Sequence, residues 1–417
     1  MRHLIIGSGP AGVVAAETLR KADPVADITL LCGEPEPPYS RMAIPYLLKG
    51  DIAEAGTHLR KDADHYATQR IQVVHGRARS VDTTGRTVDL GGGQRLPYDR
   101  LLIATGSRPS RESIPGIDLP GVRSCWTLED ARAILALAQA KPGIRIVQMG
   151  AGFVGCIIME GLLSRGVDLT ILVRSGYMVR RMMNPTASGL LQQWCQAKGV
   201  KIFTRTQPAG LSAADGVLQV ALADGRVLPA DIYLSVVGVD PNLDFLAGSG
   251  INLGQGIVVD EHLQSSVPGV YAAGDVAESR DCLTGKRQLN AIQPNAVEQG
   301  RIAALNMAGR PTAFKGSFVF NVLTTLGLVS SSFGEWEGQP GGDSAEVLDA
   351  ARYRYLNLQF QGDRLIGANS VGFTDHVGAL RGLIEGRVRL GRWKQRLMED
   401  PTQIMQVYVA GDRKSVV

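Results

Sequence analysis

His3-Leu4-Ile5-Ile6-Gly7-Ser8-Gly9-Pro10-Ala11-Gly12 decides the fold. A short apolar run feeds a Gly-x-Gly-x-x-Gly loop, and a helical pattern, Val13 to Lys21, follows it. The arrangement returns further along. Ile144-Arg145-Ile146-Val147-Gln148-Met149 leads into Gly150-Ala151-Gly152-Phe153-Val154-Gly155. In such a loop the first glycine allows a tight turn out of a strand. The second lets the backbone approach a pyrophosphate, and the third lets the following helix pack on the strand. The helix start then offers free N–H groups and a partial positive charge to phosphate. One loop is a weak signal in a chain with 50 glycines. Two in strand–loop–helix context point to one chain that holds two dinucleotides and passes a hydride between them.

The bulk composition agrees. A chain of 417 residues is long enough for two or three domains. Hydrophobic residues make up 44% and charged ones 20%, the balance of a water-soluble enzyme. A net charge of +4 is too small to argue for nucleic acid. Cys32, Cys125, Cys156, Cys195 and Cys282 form no C-x-x-C pair and no metal-ligand spacing. Their scatter suits buried thiols in a reducing, cytoplasmic compartment. No apolar run approaches a membrane span. The N-terminal run enters the glycine loop at once, so it reads as a first strand and not as a signal peptide.

Outward from the loops the pattern alternates. Asp27 to Cys32 reads as a strand, and Pro-rich Glu34 to Pro38 as irregular. Gln72 to Leu90 alternates like an antiparallel ribbon. Arg100 to Gly106 reads as a buried strand and turn, Pro109 to Gly121 as a linker, and Leu128 to Ala140 as a helix. Leu218 to Val237 is β-rich, Ala291 to Met307 helical, and Phe318 to Leu328 and Arg352 to Gln361 strand-like. The chain ends in a basic, helical tail.

Five motifs then stand in order: Gly7 to Gly12, Ala104-Thr105-Gly106, Gly150 to Gly155, Val237-Gly238-Val239-Asp240-Pro241-Asn242 and Tyr271-Ala272-Ala273-Gly274-Asp275. This set resembles the pyridine nucleotide–disulfide oxidoreductases, flavoproteins that bind two dinucleotides. Pro37-Pro38-Tyr39-Ser40-Arg41-Met42-Ala43-Ile44-Pro45-Tyr46 is similar to the branch of ferredoxin and rubredoxin reductases and the flavin portion of assimilatory nitrite reductase. The resemblance implies an α/β fold of two Rossmann-like domains plus a C-terminal α+β interface domain. FAD would take residues 1–110 and 243–310, NAD(P)H residues 111–242, and the interface domain residues 311–417.

The resemblance places FAD on Gly7, Gly9, Pro10, Ala11 and Gly12. Glu34, at the end of the second strand, would accept from the adenosine ribose hydroxyls. Arg41 would lie near the ribityl chain or pyrophosphate. Ala78 would offer backbone bonds to adenine, or simply pack the ribbon. Thr105-Gly106 would end a strand against the cofactor, or merely turn the chain. Gly274 belongs to the motif that carries Asp275. Asp275 would bond the ribityl chain from the start of a helix, its plainer alternative being an N-cap. Pro294-Asn295-Ala296 would open a helix toward the flavin ring. NAD(P)H would sit on Gly150, Gly152, Phe153, Val154 and Gly155, with Gly238 opposite.

Three departures shape the expected chemistry. Disulfide-reducing members carry a cysteine over the flavin, but Met42 stands at the matching position, and no cysteine lies between Cys32 and Cys125. A thioether cannot replace a thiolate, which argues against disulfide chemistry. The family's His-Glu pair is also missing: His262 and His376 lie outside that setting. No catalytic side chain is assigned, because hydride transfer to flavin needs stacking and orientation more than an acid or base. The strand Asp168 to Val173 ends without the carboxylate expected of an NAD site, and Arg174 and Arg180 follow. Those arginines could clamp a 2′-phosphate, or be exposed loop charges. The two arginines make NADPH the preferred cofactor, while Gly155 leans the other way and keeps NADH as the alternative. Finally, Ile157 replaces the Glu that many members carry beside the nicotinamide.

Electron transfer to a protein-bound acceptor is what remains: a ferredoxin, a rubredoxin or a reductase subunit. The alternatives are a peroxide-forming NAD(P)H oxidase, a flavin subunit of a larger complex, and a redox-sensing protein that only binds both cofactors. Phe318 to Gly334 resembles the interface domain, often a homodimer contact. In the tail, Leu380, Leu383, Leu390, Trp393 and Leu397 recur at helical spacing beside Arg381, Arg387, Arg389, Arg392, Lys394 and Arg396. That reads as an amphipathic helix docked on its own protein, or as a docking face for an acidic carrier.

Overall fold

The computed structural model describes residues 1–412. Its contacts divide the chain into two compact units, Met1–Arg108 with Val239–Phe318, and Pro109–Gly238 with Val319–Val417.

The first unit is built on a five-stranded parallel sheet. Its strands are β1 (Arg2–Ile6), β2 (Asp27–Cys32), β3 (Ile71–His75), β4 (Arg100–Ile103) and β10 (Val270–Ala272). They lie in the order β10-β4-β1-β2-β3. Leu4, Ile5, Leu30, Leu31, Leu101 and Leu102 are fully buried, as near-continuous apolar strands must be when both faces of a sheet are covered. Helices α1 (Pro10–Ala22) and α5 (Gln293–Met307) pack on each other in this unit. They approach closely because Gly300 has no side chain: a Cβ there would lie 2.3 Å from the Ala11 carbonyl oxygen.

The second unit repeats the plan. Strands β5 (Val122–Arg123), β6 (Arg145–Met149), β7 (Asp168–Val173), β8 (Lys201–Thr204) and β9 (Ile232–Ser235) form a parallel sheet in the order β8-β7-β6-β9-β5. Helices α2 (Leu128–Ala140), α3 (Phe153–Leu163) and α4 (Pro185–Ala197) accompany it. The unit also carries a five-stranded antiparallel sheet of β11 (Phe320–Thr325), β12 (Leu328–Gly334), β13 (Asp343–Asp349), β14 (Arg354–Gln361) and β15 (Arg364–Val371), ordered β11-β12-β15-β14-β13. The buried Asn369 amide fastens the start of α4 to this sheet. The Asn184 backbone N–H donates to Asn369 Oδ1 at 2.9 Å, and Asn369 Nδ2 donates to the Met182 carbonyl at 3.0 Å. Two parallel sheets and a C-terminal antiparallel sheet make the α/β class that the glycine loops indicate.

Three local readings change. The antiparallel ribbon does not begin at Gln72. Ile71–His75 pairs in parallel with β2, and the ribbon runs from Ser80 to Pro97. Alternation cannot separate an edge strand of a parallel sheet from a ribbon strand, since both show one face to water. The tail is not one helix. Helices α6 (Val377–Glu385), α7 (Trp393–Glu399) and α8 (Ile404–Asp412) are separated by turns, with Arg387 and Gly391 at positive φ. Leu380, Leu383, Leu390 and Leu397 are nonetheless buried, so the apolar stripe docks on its own protein. Residues 413–417 lie outside the described residues. The third change concerns Asp275 and belongs to the site.

Candidate functional site

Each glycine loop joins a parallel strand to a helix, and each glycine has its own steric duty. A Cβ on Gly7 would stand 2.1 Å from the Ala104 carbonyl oxygen, and one on Gly12 would stand 1.9 Å from that of Gly7. In the second loop, a Cβ on Gly150 would meet the Val236 carbonyl oxygen at 2.2 Å, and one on Gly155 that of Gly150 at 2.5 Å. Gly9 and Gly152 differ, because no protein atom lies within 4 Å of a Cβ there. The outer glycines are needed by the protein, while the middle ones face open space at the N-termini of α1 and α3.

Those N-termini are available to a ligand. Neither Gly9 nor Gly152, the N-cap residues of α1 and α3, offers a side-chain cap, and Ile292 before α5 offers none either. Helices α2 and α4, which no glycine loop precedes, are capped by Thr127 and Asn184. The first-turn amides of α1 and α3 therefore have no side-chain acceptor, the arrangement suited to a pyrophosphate.

Around the first loop the structure gathers the expected residues in one unit. The Arg41 guanidinium donates to Glu34 Oε1 at 2.5 Å, and Tyr39 Oη donates to Glu34 Oε2 at 2.6 Å. Glu34 and Arg41, read separately in the sequence, thus form one ion pair. Thr105 and Gly106 are locked to the fourth motif: Asn242 Nδ2 donates to the Thr105 carbonyl at 2.9 Å, and the Asn242 N–H to that of Gly106 at 3.0 Å. Ala78 is half-buried and packs on the core of this unit.

Asp275 neither opens nor caps a helix. It sits in a single 3₁₀ turn, Gly274–Val276, and strand Ala277–Arg280 follows. Ser107 Oγ donates to Asp275 Oδ2 at 2.7 Å. Burial pushes the Asp275 carboxyl above its ordinary range, while the Ser107 hydrogen bond and the Arg41 charge pull it back. Gly274 takes φ +80° and lies against the Ala11 and Ala296 side chains. Its N–H donates to Gln299 Oε1 at 2.8 Å, and Gln299 Nε2 reaches the Ser279 and Ser317 hydroxyls at 3.1 and 3.4 Å. Pro294 is exposed in the first turn of α5, and Asn295 Nδ2 beside it is buried with no hydrogen-bond partner. An orphaned donor at an uncapped helix start fits a group rich in acceptors, as a flavin ring is.

Around the second loop, Phe153 and Val154 open α3 and are half-buried. Val179, at φ +44°, donates its N–H to the Ala151 carbonyl at 2.8 Å and brings Arg180 beside the loop. Arg174 and Arg180 are both exposed. Gly238 takes φ +142°, and its carbonyl accepts from the Ser110 N–H at 2.9 Å. Gln148, buried in β6, donates to the carbonyls of Gly150 and Gly155 at 2.8 and 3.2 Å and so braces the loop from beneath. Gln148, Gln299 and Ser107 went unread in the sequence. Only Gln148 left a signal, as a polar residue inside the apolar run Ile146 to Met149.

Four of the five thiols are withdrawn from solvent. Cys32, Cys125, Cys156 and Cys195 are buried, and burial raises each thiol, Cys125 and Cys195 to about 12. Met42 is 44% exposed. Among the described residues, no group of three or more His, Cys, Asp or Glu is placed to hold a metal ion. Among them also, no helix is long and apolar enough to cross a membrane.

The fold and the two loops define an oxidoreductase of the two-dinucleotide class. The family model described as pyridine nucleotide-disulphide oxidoreductase matches residues 1–300, and the chain belongs to that family. It is an NAD(P)H-dependent flavin oxidoreductase. The NADH-dependent phenylglyoxylate dehydrogenase subunit epsilon of Aromatoleum evansii is 31% identical over 408 residues, covering 97% of this chain and 96% of that protein. The biphenyl dioxygenase system ferredoxin–NAD(+) reductase component of Paraburkholderia xenovorans is 33% identical over 313 residues, covering 74% of each. Among solved structures, the covalent putidaredoxin reductase–putidaredoxin complex superimposes with a TM-score of 0.89 at 25% identity, covering 99% of each chain.

Proposed function

We propose that this protein takes electrons from NADPH, in preference to NADH, and delivers them through FAD to a protein-bound acceptor, a small iron–sulfur protein of ferredoxin or rubredoxin type. The supporting observation is a pairing of presence and lack. Two uncapped helix starts stand behind glycine loops, while four of the five thiols are buried, which raises their pKa. Bound FAD would accept a hydride and release electrons singly. The names of two relatives point to a protein acceptor: one is a ferredoxin reductase component, the other a reductase solved with its putidaredoxin.

The chain's own residues then bind and orient. Gly7, Gly9, Pro10, Ala11 and Gly12 would hold the FAD pyrophosphate, and Glu34 the adenosine ribose. Arg41, Thr105, Gly106, Gly274 and Asp275 would line the ribityl side, Ala78 the adenine, and Pro294 the ring end. Gly150, Gly152, Phe153, Val154, Gly155 and Gly238 would hold NAD(P)H, with Arg174 and Arg180 on its 2′-phosphate. In this reading residues 1–110 and 243–310 serve FAD, 111–242 serve the nicotinamide, and 311–417 form the interface domain.

A second reading has one specific support. The Aromatoleum relative, matched over nearly its whole length, is named as a subunit. The same flavin chemistry could therefore serve a larger dehydrogenase assembly. Anaerobic reduction of the FAD-loaded protein by NADPH and by NADH, then mixing with a ferredoxin, tests both. Fast flavin reduction with no transfer to any free iron–sulfur protein would favour the subunit. Slow reduction by both nucleotides would overturn either.

A further inference from the structure

We propose that Arg205 is a specificity-determining residue of the nicotinamide site, closing with Arg174 on a phosphate at the adenosine 2′ position. This rests on the reading of NADPH as preferred cofactor and adds a residue to it. In a Rossmann unit the adenosine ribose lies at the end of the second strand, here β7, whose last residue Val173 brings no carboxylate. Strand β8 is its neighbour, and Val173 pairs with Thr204 in register. The next residue, Arg205, therefore emerges beside the loop of Arg174, Ser175 and Gly176.

Its placement is rigid. The Arg205 N–H donates to the Ser175 carbonyl at 3.0 Å, and the Thr206 N–H to the Val173 carbonyl at 3.1 Å. Arg205 itself takes φ +52°, a left-handed conformation that turns the chain at the strand end. Its guanidinium nitrogens come within 3.6 and 3.7 Å of where a Gly176 Cβ would stand, so the side chain lies across the loop. Arg205 and Arg174 are exposed, and among the described residues neither meets a carboxylate. Two unpaired guanidinium groups at one loop, with no carboxylate at the strand end, suit a dianionic phosphate and not a pair of ribose hydroxyls.

The test uses the full chain loaded with FAD and measures equilibrium binding of 2′,5′-ADP and 5′-AMP. The comparison is with Arg205→Asn, since asparagine tolerates the left-handed backbone. Wild type should bind 2′,5′-ADP about tenfold or more tighter than 5′-AMP, and the variant should lose about that factor for 2′,5′-ADP alone. Unchanged 2′,5′-ADP affinity in the variant would overturn the role of Arg205 and leave the NADPH reading standing. Equal losses for both ligands would likewise overturn it, as a structural effect. Tighter binding of 5′-AMP by wild type would overturn both readings.

Discussion

Gly12 sits so close to Gly7 that a Cβ on the first would stand 1.9 Å from the carbonyl oxygen of the second. Gly9, between them in sequence, has no protein atom within 4 Å of the same position and an ordinary φ of −75°. The two substitutions should therefore fail differently. Gly12→Ala should destabilise the first unit by about 3 kcal/mol or more, because backbone must move. Gly9→Ala should leave thermal stability of the FAD-free protein unchanged and weaken FAD binding by at least about tenfold, since only a ligand can meet the new methyl. A Gly9→Ala protein that retains FAD normally would remove the pyrophosphate from this loop.

The loops were legible because their chemistry is local. Gly7 and Gly12 meet across five residues, and short-range sterics are written in spacing. The helix Leu128–Ala140 was legible in full, since Thr127 caps it in a two-way box with Asp130. What escaped depends on distant partners. Ser107 reaches Asp275 across 168 positions. Arg205 reaches Ser175 only through the register of two parallel strands. The tail read as one helix because its leucines keep helical spacing. The breaks at Arg387 and Gly391 depend on turn geometry that such spacing does not encode.

Gln299 provides a direct test of what holds the Gly274–Asp275 turn. Its amide serves the Gly274 N–H and two buried hydroxyls, so Gln299→Leu leaves the Gly274 N–H without its acceptor, while the Ser279 and Ser317 hydroxyls keep each other at 2.9 Å. The expected destabilisation is about 1–3 kcal/mol by chemical denaturation. FAD should also dissociate at lower denaturant than in wild type. If the variant matches wild type on both measures, the network is dispensable.

His3 makes stability depend on pH. It is buried on β1 with neither ring nitrogen hydrogen-bonded, and burial lowers its pKa to about 4 from 6.5. The unfolded chain takes up the proton first as pH falls. Stability is then lost progressively from about pH 6.5 down to about pH 4, by about 3 kcal/mol in total. His3→Leu should abolish that portion, so the stability difference between variant and wild type should widen as pH falls from 7 to 4. A constant difference would mean that His3 titrates alike in both states.

Thiol chemistry should be irrelevant to turnover. Cys32, Cys125, Cys156 and Cys195 are buried and protonated at neutral pH, and only Cys282 is half-exposed. Iodoacetamide should label Cys282 alone in the native protein, with flavin reduction by NADPH unaffected. Loss of activity on labelling, traced by mass spectrometry to Cys32, would restore a thiol relay.

The basic tail separates steering from chemistry. Arg381 is tied to Glu385, and Lys394 to Asp343. Arg392 and Arg396 flank the Trp393 ring, and Arg389 is exposed. If an acidic carrier docks here, its approach is accelerated by these charges and screened by salt. Reversing Arg389 and Arg392 to Glu should slow reduction of an acidic ferredoxin by about tenfold at low ionic strength and flatten its salt dependence. Reduction of the flavin by NADPH should not change. A wild-type ferredoxin rate that ignores both salt and charge reversal would move the docking face elsewhere.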